Sequence, residues 1–258
     1  MMMPIAAQQQ ENIITTGLNL HFDANDKTST SSPSAWGDMK CVRSGSMDPT
    51  WTLTNGAALD TSTFDHGTIH FDGTNDYITG DTDHLDDVGA EANRPGGNMQ
   101  FTFDAWINIS AYAPSTANEY WYAAIISKGN VYFNFGIRHN GYLKLYWYPG
   151  SVYYTLSETT VLGLDRWRHV AMTVAENGLI ALYVDGEAEA IDSSSTATSF
   201  TDMAATGLTQ AAEIGTGDFG TQTNMFNGHM AVLRQYHRCL TPGEIRHNFN
   251  AQRHRFGV

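Results

Sequence analysis

The sequence predicts an all-β fold: an antiparallel β-sandwich of jelly-roll type with one short helix near the C-terminus. Three observations predict it. Apolar and polar residues alternate with a period of two along many short segments. Asn-Gly and Asp-Gly pairs, which favour the positive φ angles of hairpin turns, separate several of those segments. Helix-capping residues open one segment close to the C-terminus.

The clearest predicted strand is residues 101–109. One of its faces carries Phe101, Phe103, Ala105, Ile107 and Ile109, and the other carries Thr102, Asp104, Trp106 and Asn108. Further strands are predicted at 18–23, 68–71, 123–127, 131–138, 142–148, 167–175, 179–184 and 231–236. Hairpin turns are predicted at 140–141, 177–178 and 185–186, and turns of less defined geometry at 55–56, 72–73 and 227–228. Many short strands with such turns are typical of a sandwich or jelly roll.

The one helix is predicted to begin at Thr241-Pro242-Gly243-Glu244. Thr241 is suited to accept from the amide of Glu244, and the Glu244 side chain is suited to reach back. Proline is favoured at the first helical position. We expect Ile245, Phe249 and Phe256 to pack this helix against the edge of a sheet.

Composition and charge argue against two classes of protein, those that bind duplex nucleic acid and those that span a membrane. The chain has 258 residues, with 27 acidic and 14 basic side chains, and its net charge is −13. This charge argues against a duplex nucleic-acid partner, which favours a basic face. No segment approaches the roughly 18 apolar residues of a membrane span.

The chain is predicted to form one domain, residues 17–258, after a polar arm, residues 1–16, that lacks the features of a signal peptide. Without an export signal, Cys41 and Cys239 are expected to be free thiols.

The charge is unevenly distributed. Residues 1–100 contain 14 acidic and 4 basic side chains, whereas residues 201–258 contain 4 acidic and 5 basic ones. The basic end is either a solvated helix end or a surface that docks on an acidic neighbour. If copies pack against each other, contact between these two regions is expected.

Five stretches resemble one known family. They are GLNLHFDA (17–24) followed by WGD (36–38), TIHFDGTNDY (68–77), FTFDAWINI (101–109), LDRWRHV (164–170) followed by LYVDGE (182–187), and FNG (226–228) through LTPGEI (240–245) and NFNA (248–251). Together they are similar to the laminin-G-like, concanavalin A-like jelly roll found in lectins and glucanases. The resemblance covers residues 17–258, with the motifs in order.

The opening motif and the NFNA…RFG ending most resemble the versions of this domain in structural proteins of tailed bacteriophages. The resemblance therefore implies a non-enzymatic virion protein: a fibre, tail appendage or capsid decoration located in the phage particle. It would bind other virion proteins and self-assemble, with a trimer as one option. The alternative is a lectin-like module that recognises host surface polysaccharide. Fold alone does not decide between them.

Catalysis is not predicted. Glucanases of this fold resemble one another in an E-x-D-x-x-E run, and the nearest run here is Glu187, Glu189 and Asp192, whose order differs. The run follows the turn at 185–186, where acids are usually solvated. Retaining hydrolysis needs two carboxyl groups about 5 Å apart. No nucleophile, zinc-protease or phosphate-loop motif occurs.

No cofactor is predicted, although calcium is considered. Acidic and amide residues cluster at loop ends, and Asp72, Asn75 and Asp76 are the candidate ligands, since Ca²⁺ prefers oxygen donors. EF-hand spacing is absent. Asp and Asn are also favoured in turns for backbone reasons alone.

The candidate binding surface is aromatic. If Leu143, Leu145 and Trp147 face the core, the outer face of that strand carries a stripe of Tyr142, Lys144, Tyr146 and Tyr148. Tyr153 and Tyr154, on the next predicted strand, and Trp121 are added to this surface. Aromatic rings with polar tips suit both sugar faces and protein interfaces. A third option is that both faces of the sheet are covered and the stripe is packed internally.

Overall fold

The computed structural model contains two antiparallel β-sheets packed face to face, with a helix on the outside of the first sheet. It describes residues 12–25, 35–36, 51–64, 67–80, 85, 100–113, 122–128, 133–201, 211–217 and 225–258. Sixteen strands and one helix lie in this part of the chain. The predicted antiparallel sandwich with a C-terminal helix is confirmed.

Eight strands form the first sheet. They are β1 (Leu18–Asp23), β4 (Ala58–Asp60), β5 (Thr68–Asp72), β7 (Phe101–Ala111), β12 (Trp167–Val174), β13 (Ile180–Val184), β14 (Glu187–Ala188) and β16 (Asn227–Tyr236). Their order is β14-β13-β12-β7-β16-β5-β4, and β1 also pairs with β16.

The second sheet also has eight strands. They are β2 (Ala35–Trp36), β3 (Trp51–Thr54), β6 (Tyr77–Thr79), β8 (Tyr122–Lys128), β9 (Phe133–Arg138), β10 (Leu143–Trp147), β11 (Tyr153–Leu156) and β15 (Ala212–Ile214). Their order is β11-β10-β9-β8-β15-β6-β3-β2. The strands of both sheets therefore come from distant parts of the chain, as in other sandwiches with long-range connections.

The core lies between the sheets and follows the predicted period of two. The five apolar residues of β7 that were predicted to share one face are all buried in it, from Phe101 to Ile109. On β12, Val170, Met172 and Val174 point to the same core. The inward faces of the long strands are thus explained by alternation alone.

The helix, α1 (Pro242–Phe256), begins as predicted. The Glu244 amide donates to Thr241 Oγ1 over 3.3 Å, and the Thr241 amide donates to Glu244 Oε2 over 2.9 Å. Both bonds of the capping box are therefore present, with Pro242 at the first helical position.

The prediction that α1 packs against a sheet edge is wrong. The helix lies on the outer face of the first sheet, where the Phe256 ring stacks on Trp106 with centroids 4.1 Å apart. Trp106 is an outward-facing residue of β7 and is fully buried. Because α1 covers this face, both sides of β7 are buried, which alternation within β7 did not indicate.

A buried polar network holds α1 to the sheet. Arg234 Nε donates to Asp104 Oδ1 over 2.6 Å, and Arg234 Nη2 donates to Gln252 Oε1 over 2.8 Å. Asn248 Nδ2 donates to Asp104 Oδ2 over 2.9 Å. All four side chains are fully buried. A hydrogen-bonded network of this kind fixes the position of the helix, since each buried group needs its partner.

The described part of the predicted N-terminal arm, residues 12–16, is hydrogen-bonded to the domain. The Ile14 amide donates to Asn248 Oδ1 over 2.9 Å, and the Tyr236 hydroxyl donates to the Ile14 carbonyl over 3.0 Å. Arg238 Nε donates to the Thr16 carbonyl over 2.8 Å. Residues 12–16 therefore belong to the packed domain, and residues 1–11 lie outside the described chain.

The hairpin turn at 185–186 has the predicted backbone. Asp185 and Gly186 have φ angles of 51° and 81°, the pair of positive values that a type I′ turn requires. The turn predicted at 227–228 is wrong, because Asn227 and Gly228 are the first residues of β16.

Two further sequence predictions concern cysteine and membrane association. Cys239 is a free thiol, as predicted, whereas Cys41 lies outside the described residues. In the described chain, α1 included, no helix is long and apolar enough to cross a membrane.

Candidate functional site

The aromatic strand β10 presents two different faces. Leu143, Leu145 and Trp147 are fully buried in the core between the sheets, as predicted. Side chains alternate along a strand, so Lys144 and Tyr146 lie on the outer face of the second sheet. The condition on which the predicted stripe depended is therefore met.

The stripe is not an open surface along its whole length. Lys144 is 0% exposed and Tyr146 is 4% exposed, whereas Tyr142 and Tyr148 are half-buried. For Lys144 and Tyr146 the prediction of an exposed stripe is wrong, and the alternative of local packing describes them. Tyr146 packs with Ala124, Tyr148 and Val152 in a small cluster on this outer face.

Tyr153 does not belong to the outer face. It pairs with Trp147, and the two rings are stacked with centroids 5.7 Å apart, on the core side of the sheet. Tyr154 takes its place, directly opposite Tyr146. The register across the β10–β11 turn decides which of two adjacent tyrosines faces outward, and the sequence does not define that register. Trp121, the remaining predicted residue, lies outside the described residues.

A row of polar side chains crosses the outer face of the second sheet. Residues directly opposite each other on paired strands share a face. Following the pairing from β11 to β3 gives Tyr154, Tyr146, Asn134, Ser127, Glu213, Thr79 and Thr52. We call these seven residues the polar row. Sequence reasoning found only the two tyrosines of the row, because the other five members come from five separate strands.

The middle of the polar row is covered and its ends are open. Ser127 Oγ donates to the Thr216 carbonyl over 2.7 Å, and a Cβ on Gly217 would lie 2.4 Å from Asn134 Oδ1. The backbone at 216–217 therefore lies against the row, and Asn134 and Ser127 are buried. At the two ends, Tyr154 is half-buried and Thr52 is exposed.

Small residues lie beside the tyrosine end of the row. The neighbouring outward positions are Lys144, Gly136 and Ala124, aligned across β10, β9 and β8. Lys144 Nζ lies 4.9 Å from the centroid of the Tyr154 ring, a cation–π contact that orients this ring. Gly136 and Ala124 are buried, as Lys144 is, so this part of the outer face is covered and the accessible rings lie at its margin.

Asn134 contributes an unused hydrogen-bonding atom. Within the described chain, its Oδ1 is buried and accepts no hydrogen bond. Buried polar atoms in folded proteins are usually paired, so an unpaired acceptor in a polar row calls for an explanation. Because the backbone at 216–217 covers Asn134, this acceptor lies inside the protein and is not reached from the surface.

Of the calcium candidates Asp72, Asn75 and Asp76, the two aspartates accept hydrogen bonds from the backbone. Asp72 Oδ1 accepts from the amides of Thr74 and Asn75 over 2.7 and 3.3 Å, and these bonds, the first above all, lower the pKa of Asp72. Asp76 accepts from the amide of Gly56 over 2.7 Å. The described residues contain no group of three or more His, Cys, Asp or Glu side chains placed to hold a metal ion. The turn itself accounts for these acids, and calcium binding stays a prediction.

The acidic run after the 185–186 turn also makes structural contacts. Glu187 pairs with Arg246 of α1 over 2.6 Å. Glu189 accepts from the amide and hydroxyl of Thr160, each over 2.7 Å. Asp192 Oδ1 accepts from the Ser194 amide over 2.7 Å. Glu189 and Asp192 therefore hold local backbone, and Glu187 forms an exposed ion pair with α1.

The family model described as the concanavalin A-like lectin/glucanases superfamily (Laminin_G_3) matches residues 72–246, more than half of the chain. The chain belongs to this superfamily. The predicted laminin-G-like, concanavalin A-like domain is thereby confirmed. Comparison with curated proteins gives no match.

Several solved structures share the fold. The binding domain of Paraclostridial Mosquitocidal Protein 1 aligns with a TM-score of 0.62 and 14% identity, over 92% of this chain and 52% of that one. Domain 4 of AbnA, a GH43 extracellular arabinanase from Geobacillus stearothermophilus solved with arabinotriose, aligns with a TM-score of 0.60 and 16% identity, over 90% of this chain and 97% of that one.

A third example is Trypanosoma rangeli sialidase in complex with the inhibitor DANA. It has a TM-score of 0.57 and 16% identity, over 92% of this chain and 33% of the sialidase. The chain therefore spans about half of the mosquitocidal structure and a third of the sialidase. At these identities the likeness establishes the fold alone.

Proposed function

We propose that this protein is a non-catalytic carbohydrate-binding domain that holds polysaccharide at the tyrosine end of the polar row. The row itself is the observation that carries the proposal. It combines aromatic rings with amide, hydroxyl and carboxylate groups on one outward sheet face. Sugars offer apolar ring faces edged with hydroxyl groups, so they match rings that lie beside hydrogen-bonding side chains.

Tyr148 and Tyr154 are the residues proposed to contact the sugar. Both are half-buried, so part of each ring is accessible. Tyr146 is buried between them and supports them from below, and Lys144 orients Tyr154. Asn134 lies next along the row but is buried beneath the backbone at 216–217, so the proposed contact surface ends at the tyrosines.

The proposal that the chain is not an enzyme is supported by the acids it contains. The carboxylates of Glu187, Glu189 and Asp192, the nearest run to a glucanase motif, are bound to a guanidinium, to Thr160 and to a backbone amide. Glycoside hydrolysis needs two carboxyl groups free to face one bond. The superfamily description includes both lectins and glucanases, and the arabinanase domain solved with arabinotriose is consistent with binding on this fold.

We expect a Tyr148→Ala, Tyr154→Ala double variant to lose glycan binding. Both substitutions remove a ring that a sugar face stacks on, and affinity should fall at least about tenfold, which corresponds to about 1.4 kcal/mol. A glycan array identifies the ligand for the wild-type chain, and isothermal titration with that ligand measures the loss.

Tyr77→Ala is the matched control. Tyr77 is also half-buried and also faces outward, but it lies on β6, four strands from β10. The Tyr77→Ala variant should bind the glycan with an affinity within twofold of wild type. Thermal melting of all variants separates lost binding from lost folding. Wild-type affinity in the double variant would contradict the proposed site.

A virion role is a second proposal, favoured by the resemblance of the opening motif and the NFNA…RFG ending to phage structural proteins. It is compatible with glycan binding, since a virion attachment protein needs a surface ligand. Virion partners and self-assembly belong to this proposal. Mass spectrometry of purified phage particles should find the chain at a fixed copy number, and its absence from them would exclude the role.

A further inference from the structure

Two histidines face each other on the outside of the first sheet. His70 of β5 lies directly opposite His229 of β16. Their neighbours Ile69 and Met230 point into the core, so both imidazoles point outward. The ring centroids are 4.8 Å apart, and the planes are inclined at 47°. His70 is exposed, so solvent reaches the pair.

This separation matches two imidazoles that share one metal ion. A Zn–N bond is about 2.1 Å long, so two rings bound to one tetrahedral ion have centroids about 5 Å apart. The strand pairing already holds the rings near that distance, and little rearrangement would be needed.

A neighbouring hydroxyl orients one of the rings. Thr68 Oγ1 lies 3.0 Å from His229 Nδ1, and Thr68 is fully buried. When Nδ1 donates to this hydroxyl, Nε2 keeps its lone pair for a metal ion. Metal-binding histidines typically have such a partner on their second nitrogen.

Aromatic packing holds the same ring from the other side. The Phe64 ring contacts His229 edge-on, with centroids 5.0 Å apart, and contacts Trp167 in the same manner at 5.1 Å. His229 therefore cannot swing freely, whereas the exposed His70 can adjust to a ligand.

We propose that His70 and His229 form a two-histidine binding site for a first-row transition-metal ion such as Zn²⁺ or Cu²⁺. Imidazole nitrogen favours these ions over Ca²⁺ and Mg²⁺, which prefer oxygen ligands. Two protein ligands leave the other coordination positions to water or to a group from another molecule. The site is separate from the polar row, which lies on the other sheet.

Isothermal titration of the chelator-treated full chain with ZnCl₂, and separately with CuCl₂, tests the proposal. We expect one ion to bind per chain, and His70→Gln to weaken that binding at least tenfold. His254→Gln is the matched control, since His254 is exposed on α1 and its loss should leave the affinity unchanged. For Cu²⁺, electron paramagnetic resonance should detect two nitrogen ligands in the wild-type chain and one fewer in His70→Gln.

Thermal melting separates lost metal binding from misfolding. Because His70 is exposed, His70→Gln should keep the wild-type melting temperature without metal, whereas only the wild-type chain should melt at higher temperature with added Zn²⁺. Thr68→Val should weaken binding without abolishing it. The absence of binding in the wild-type chain would overturn the proposal, as would unchanged Zn²⁺ binding in His70→Gln.

Discussion

Replacing Asp104 with Asn should lower the free energy of unfolding by about 3–5 kcal/mol. Asp104 is the carboxylate partner of Arg234, and both side chains are fully buried beneath α1. Neutralising Asp104 leaves the buried charge of Arg234 without compensation. The predicted loss of stability is the free-energy cost of that uncompensated charge. Arg234 cannot relieve it by deprotonation.

The charges in this network also predict a dependence on pH. Burial by itself would raise the pKa of Asp104, but the adjacent Arg234 guanidinium and His169 outweigh it, and the pKa lies below its ordinary value of 3.8. A carboxylate whose folded-state pKa is depressed stabilises the fold above its unfolded pKa. That contribution is lost as the pH falls below about 4 toward the folded pKa. Asp104→Asn should lack this part of the acid sensitivity.

Urea unfolding followed by circular dichroism, at pH 7 and at pH 3, measures both effects. Glu187→Gln is the control, because Glu187 also pairs with an arginine, Arg246, but the two side chains are 67% and 56% exposed. An exposed ion pair contributes at most about 1 kcal/mol. If Asp104→Asn costs no more than Glu187→Gln, the buried pair does not hold α1 as inferred.

Alternation along single strands predicted the parts of the fold that depend on local sequence. The strand 18–23 and the inward face of 101–109 are as expected, and so is the capping box at Thr241. Each of these follows from neighbouring residues alone. Short strands such as Ala58–Asp60, Tyr77–Thr79 and Ala212–Ile214 were not predicted, because three residues carry too little alternation to detect.

Features that depend on contacts between distant segments could not be predicted. Asp104 and Arg234 are 130 residues apart, and α1 must cover them before either is buried. The polar row likewise depends on the register of several strand pairs, and a shift of one residue would turn its side chains inward. This is why the sequence found the tyrosines of β10 but placed Tyr153 on the wrong face.

Gly228→Ala, which replaces the one glycine of β16, should lower the free energy of unfolding by at least about 2 kcal/mol. Gly228 has a φ of 141°, a conformation that other residues adopt only with strain of about 1–3 kcal/mol. An added Cβ would lie 2.1 Å from the Asn108 carbonyl oxygen and 3.0 Å from the Ile109 Cα. Both are backbone atoms of β7, so neither can move without separating two central strands of the first sheet. Crowding of this kind adds about 1–3 kcal/mol.

Gly243→Ala separates this effect from the general cost of replacing glycine. Gly243 lies in the first turn of α1, where an added Cβ would meet only Thr241 Oγ1, at 3.9 Å. Alanine is favoured over glycine within a helix by up to about 1 kcal/mol, so this variant should be as stable as wild type or more stable. Urea unfolding of both variants provides the comparison. The close approach of the β7 and β16 backbones is what excludes a side chain at Gly228. If Gly228→Ala were as stable as Gly243→Ala, the two strands would have to lie farther apart there.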